Sequence, residues 1–156
     1  IEMYYMMFVQ IQNDINWQNQ TRDLSYAELY QADLFAADLS YADLSYAYMD
    51  SANLGYADLS GANLTGATLS GAYLRYADLT GADLTDAYLT NAELSYAELY
   101  QADLFAADLT GAYLYYADLT GADLTDADLT AVYWYDTTCP DGTNSDDNGN
   151  TCVNNL

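Results

Sequence analysis

From Ala27 to Ala127 every fifth residue is alanine, 21 times without exception, and the position two residues further on is leucine from Leu24 to Leu129, with Met49 the single substitution. No regular element buries such a pattern. An α-helix turns about 100° per residue, so residues five apart lie about 140° apart and leucine would be smeared round every face. A flat strand alternates sides with period two, so an odd period throws successive leucines to opposite faces. The chain must therefore turn once per five residues, sending alanine and leucine inward and leaving three outward residues to form the side and corner.

The unit A-(D/N)-L-x-x, repeated over roughly residues 22–135, resembles the pentapeptide repeat family. What the resemblance implies is an all-β fold, a right-handed quadrilateral β-helix with four repeats per coil. The 22 Leu or Met positions then make about five and a half coils, each burying leucines that one coil alone would leave wet. Three regions follow: an apolar extended segment over 1–21, the β-helix over 22–135 and a disulfide-closed tail over 136–156. Residues 24–39 recur identically at 94–109, an offset of three and a half coils that puts the copies on opposite sides and reads as duplication.

Folding the sequence at twenty residues aligns Tyr56, Tyr76, Tyr96 and Tyr116 in one column and Asp38, Asp58, Asp78, Glu98 and Asp118 in another. Unit charges about 4.8 Å apart repel by roughly 0.9 kcal/mol even in water, so the acid column needs raised carboxylate pKa values, local hydrogen bonds or bound cations. One expectation is a face that collects divalent cations or basic proteins and loosens when fully ionised at low salt; the plainer one is a solvated family position. Eighteen tyrosines exceed structural need and favour an interface.

Twenty-four acidic residues stand against Arg22 and Arg75, with no lysine or histidine, for a net charge of −22. That charge repels nucleic acid and anionic membranes and leaves cations, basic proteins or copies of the chain itself as partners. Without histidine or lysine the abundant Ser and Thr lack an activating base, so the chain is not expected to be an enzyme and no catalytic residue is assigned. No apolar run of 18 residues exists to span a bilayer. The start at Ile1, with no basic leader, suits a mature processed protein.

Both ends carry candidate sites. In IEMYYMMFVQI, Ile1, Met3, Tyr5, Met7, Val9 and Ile11 share one side of an extended chain and Phe8 lies on the other, which suits a cap or an intersubunit strand. Cys139 and Cys152 flank a turn-rich loop and read as a local disulfide, hence an oxidising location that is extracellular, at the cell surface or periplasmic. The T-C-P-D-G run resembles the termini of some secreted bacterial members of the family. Asn144, Asp146, Asn148 and Asn150 have the spacing of half a calcium loop, although Asn155 replaces the acidic ligand expected at the twelfth position. Calcium is the one cofactor the sequence suggests.

Two functions emerge. The first is an extracellular, non-enzymatic acidic rod that self-assembles end to end or side by side into a filament or surface layer. The second comes from the resemblance: acidic rods of this family can mimic DNA and bind DNA gyrase.

Overall fold

The structure is a computed structural model and describes residues 22–153. Its repeating event is a tight turn. The Leu24 carbonyl accepts a hydrogen bond from the Ala27 amide at 3.0 Å, and the same Leu-to-Ala bond recurs at each corner through Val132. The third residue of each turn has φ near +60°, as at Tyr26 (57°), Tyr76 (61°) and Gly81 (64°), which is the type II pattern.

Between corners the chain makes one-residue parallel bridges, each to the residue twenty positions on: Asp38 to Asp58, Asp58 to Asp78, Asp78 to Glu98, Glu98 to Asp118. Four corners therefore close a coil. Three amides of each repeat bond to an adjacent coil, as when Leu59 donates to Asp78 (2.7 Å), Gly61 to Thr80 (2.9 Å) and Asp58 to Ala37 (2.9 Å). A fourth closes the turn. The fifth, on the residue after leucine, points where no backbone carbonyl lies, and where Asp or Asn stands two residues earlier its side chain accepts it. Ser60 donates to Asp58 Oδ1 at 3.0 Å, Thr80 to Asp78 Oδ1 at 2.9 Å and Thr65 to Asn63 Oδ1 at 3.1 Å. This is an Asx turn, and it explains why Asp or Asn recurs beside leucine.

The interior is a column of leucine and alanine. From Leu29 to Leu124 these positions are 8% exposed or less, with Met49 fully buried in the leucine register. Alanine is needed where the square is narrow, since a larger side chain there would overpack it. Most left-handed corners bear an L residue, and glycine is demanded where a ring lies above: a Cβ at Gly61 would stand 2.6 Å from the Tyr41 ring.

The register runs on through Trp134 to Cys139, which takes a leucine position and is fully buried. There Cys139 bonds to Cys152, closing the tail over one side of the last coil. Thr138 pairs antiparallel with Asn144, and a 3₁₀ turn at Ser145–Asn148 follows. The other sides of that coil leave Ala127, Leu129, Val132 and Trp134 only partly buried.

Leu74→Ala, in the middle of the column, should cost about 2–5 kcal/mol, whereas Leu129→Ala at the half-covered end should cost less. Urea unfolding of the two variants measures both.

Candidate functional site

The twenty-residue register delivers the tyrosines to one corner. Tyr56, Tyr76, Tyr96 and Tyr116 all occupy the left-handed third position of the turn, so each side chain leaves the corner in the same direction. Their rings stack face to face, with centroids 4.7, 4.8 and 4.7 Å apart and planes within 19° of parallel. The coil spacing of a β-helix is close to the thickness of a stacked ring pair, so the backbone sets the stack and no side chain strains to reach it. Phe35 closes one end edge-on against Tyr56 (5.5 Å), and Tyr135 closes the other against Tyr116 (5.3 Å). Each residue of the ladder keeps between 36% and 56% of its surface exposed, enough to meet a partner. Partial desolvation in the stack, then Tyr135, raises the Tyr116 phenol above its ordinary pKa.

Arg75 belongs to this site. Its guanidinium carbon lies 5.2 Å from the Tyr76 centroid and 5.1 Å from the Tyr96 centroid, at the junction between successive rings. Nothing in the sequence pattern singled it out, because it is one cation at a variable corner position. A second stack, Tyr113 on Tyr133 at 4.7 Å, and a third, Tyr26 on Tyr46 at 5.2 Å, were visible in the twenty-residue alignment but not selected there.

The acid column lies on the side that follows this corner, and its aspartates, though not Glu98, turn their carboxylates to the chain itself. Asp38, Asp58, Asp78 and Asp118 each accept from the backbone amide two residues later. The Ser or Thr hydroxyl donates to the same oxygen at Asp38, Asp58 and Asp118, at 2.6–2.7 Å. Asp38 also receives Arg22 at 2.8 Å. Of the three reliefs open to a charge ladder, local hydrogen bonds are in place. The resolved shifts run downward, against the raised values the sequence allowed. Arg22 and then the Ser40 hydroxyl lower the Asp38 pKa to about 2. Hydroxyl donation from Ser25, Thr110, Thr125 and Thr130 lowers Asp23, Asp108, Asp123 and Asp128.

In the tail, the side chains considered for calcium bond to the chain. Asn144 accepts from the Asp146 amide at 2.8 Å and donates to Asp136 at 2.6 Å, Asp146 accepts from the Asp136 amide at 2.9 Å, and Asn148 donates to Thr143 at 2.8 Å. Asn150 is a left-handed turn residue with φ 61°. Among the described residues no group of three or more acidic or cysteine side chains converges as a metal site would. Ile1, Met3, Tyr5, Met7, Phe8, Val9 and Ile11 lie outside the described residues.

A four-sided solenoid of five-residue repeats with stacked aromatic rings along one corner defines the class of repeat β-helices. Within it, a family model for pentapeptide repeats matches residues 32–71, 67–105 and 106–130, and the chain belongs to that family, with its right-handed β-helix. No curated protein matches the chain. Similar solved structures include a pentapeptide repeat protein from the Arabidopsis thaliana thylakoid lumen, at 39% identity over 59% of this chain and 68% of that one, with a TM-score of 0.49. Another is HetL, involved in heterocyst differentiation regulation in the cyanobacterium Nostoc sp. strain PCC 7120, at 37% identity over 78% of this chain and 63% of that one, with a TM-score of 0.45. QnrB1, a plasmid-mediated fluoroquinolone resistance protein, shares 22% identity over 70% of this chain and 78% of that one, with a TM-score of 0.37.

The lowered carboxylates fix a pH dependence. A carboxylate with a depressed folded pKa stabilises the fold above its unfolded value, and that contribution is lost as pH falls through the folded value. Melting temperature should therefore drop between about pH 4 and pH 2, the window set by the ordinary carboxylate pKa and by Asp38. Circular dichroism melts across that range measure it; a rise on acidification would mean that repulsion along the ladder outweighs the hydrogen bonds.

Proposed function

We propose that the chain is a non-enzymatic, extracellular structural and interaction rod that assembles with copies of itself into a filament or surface layer. The observation that carries this reading is the unfinished last coil. One coil earlier, Leu104, Ala106, Leu109 and Gly111 donate their amides to the carbonyls of Asp123, Thr125, Asp128 and Thr130. Their counterparts Leu124, Asp126, Leu129 and Ala131 have no such acceptor among the described residues, and partly buried Leu129, Val132 and Trp134 stand beside them. A parallel edge of this kind is complementary to the opposite edge of another copy, and a head-to-tail contact without closure propagates as a filament. The apolar 1–11 segment suits the same role, as a strand that reaches a neighbouring rod.

The Cys139–Cys152 disulfide supports an oxidising location outside the cytosol. It also counts against the rival reading, in which the acid columns imitate a nucleic acid and occupy a cytoplasmic DNA-processing enzyme. That rival draws on the charge of −22 and is tested separately by a DNA gyrase supercoiling assay.

Electron microscopy and sedimentation over rising protein concentration test the assembly. Filaments or layers that Leu129→Asp and deletion of residues 1–11 abolish are the expected result. A rod that stays monomeric at every concentration overturns it.

A further inference from the structure

The ladder already binds one guanidinium. Arg75 reaches from its corner to the junction of Tyr76 and Tyr96, whose rings are 4.8 Å apart. The junctions above and below, Tyr56 with Tyr76 and Tyr96 with Tyr116, have nearly the same geometry, at 4.7 Å each. What differs is the residue beside them. Positions 55 and 95, the counterparts of Arg75, carry Gly55, over which the Phe35 ring lies 3.3 Å from where a Cβ would stand, and buried Ser95; neither reaches a ring as Arg75 does, and a guanidinium would come in along the exposed outer edges of the rings. Glu93 flanks one side of the ladder, and Asp58, Asp78, Glu98 and Asp118 flank the other. The chain has no other arginine free to fill these junctions, since Arg22 bonds to Asp38 and to the Ser40 carbonyl.

We propose that the tyrosine ladder is a docking strip for an extended, arginine-bearing segment of a basic partner protein, whose guanidinium groups enter the Tyr56–Tyr76 and Tyr96–Tyr116 junctions as Arg75 enters the one between. The proposal rests on reading this column as an interaction face and is independent of self-assembly. Arginine suits the site better than lysine, because its planar, weakly hydrated group packs against aromatic rings while still donating hydrogen bonds to phenol oxygens and carboxylates. Spacing selects the backbone. The two junctions are two coils apart, about 9.6 Å, and a polyproline II segment returns to the same face after three residues and about 9.3 Å. A β-strand presents one face at about 6.6 Å or 13 Å and fits less well. The favoured motif is therefore Arg-x-x-Arg in a proline-rich segment. The net charge of −22 supplies the attraction that brings such a segment in.

The test is fluorescence anisotropy of labelled peptides against dispersed rods at low salt, comparing Arg-Pro-Pro-Arg with Lys-Pro-Pro-Lys and with arginines set four apart. The expected result is about five-fold or greater preference for Arg-Pro-Pro-Arg over both. That preference should vanish in the charge-neutral Tyr56→Leu/Tyr116→Leu double variant. Equal binding of the lysine peptide, retention of the preference in the double variant, or no binding of any peptide overturns the proposal. Because the assay uses dispersed rods, its failure leaves filament formation untouched, and failure of filaments leaves peptide binding to be read on its own.

Discussion

Everything in this molecule depends on satisfying the backbone of a chain that turns every five residues. A buried amide without an acceptor costs about 1–3 kcal/mol, so a coil stacked on both sides must place most of its amides. Three amides bond to neighbouring coils and one closes the turn, as at Asp58, Leu59, Gly61 and Ala62. The fifth, on Ser60, is taken by the Asp58 carboxylate. The acidic character of the rod begins there, as a requirement of turn chemistry, and its effect on partners is a consequence.

The same geometry explains the corners. A left-handed residue other than glycine is strained by about 1–3 kcal/mol, yet tyrosine occupies this place at Tyr56, Tyr76, Tyr96 and Tyr116. Stacking offsets the strain, at about 0.5–1.5 kcal/mol per ring pair beyond the area buried. The result is a row of aromatic rings whose spacing is set by the sheet and whose outer edges stay open. Arg75 shows what that row does with a cation within reach.

The fold was legible because leucine and alanine speak only of the core: a five-residue period excludes helix and strand, and the family pattern supplies the four-sided coil. The tyrosine column was legible once positions were aligned at twenty. The role of the aspartates was less so. Sequence spacing places Asp38, Asp58, Asp78, Glu98 and Asp118 in line but does not say that their oxygens turn back to the chain, since that depends on which amide the turn leaves free. Glutamate marks the difference. One methylene longer, Glu93 reaches the Ser95 amide at 3.2 Å, while no such bond forms at Glu98. The cysteine pairing was readable from its spacing, but the place of Cys139 inside the leucine column became visible only with the coils in register.

The central claim is that register at twenty residues, and not tyrosine content, makes the aromatic face. Inserting one further five-residue repeat after Thr90 moves Tyr96 to a different corner from Tyr76, whereas inserting four repeats whose sixth residue is tyrosine continues the ladder from Tyr76 through the new ring to Tyr96; giving the single repeat a tyrosine as its first residue, above Gly71, keeps the tyrosine content equal. Near-ultraviolet circular dichroism of the coupled tyrosines reads the difference. The account predicts that both insertions keep the β-helix signal in the far ultraviolet, and that the one-repeat insertion loses more of the coupled tyrosine signal than the four-repeat insertion does. Equal tyrosine signals in the two variants would contradict it.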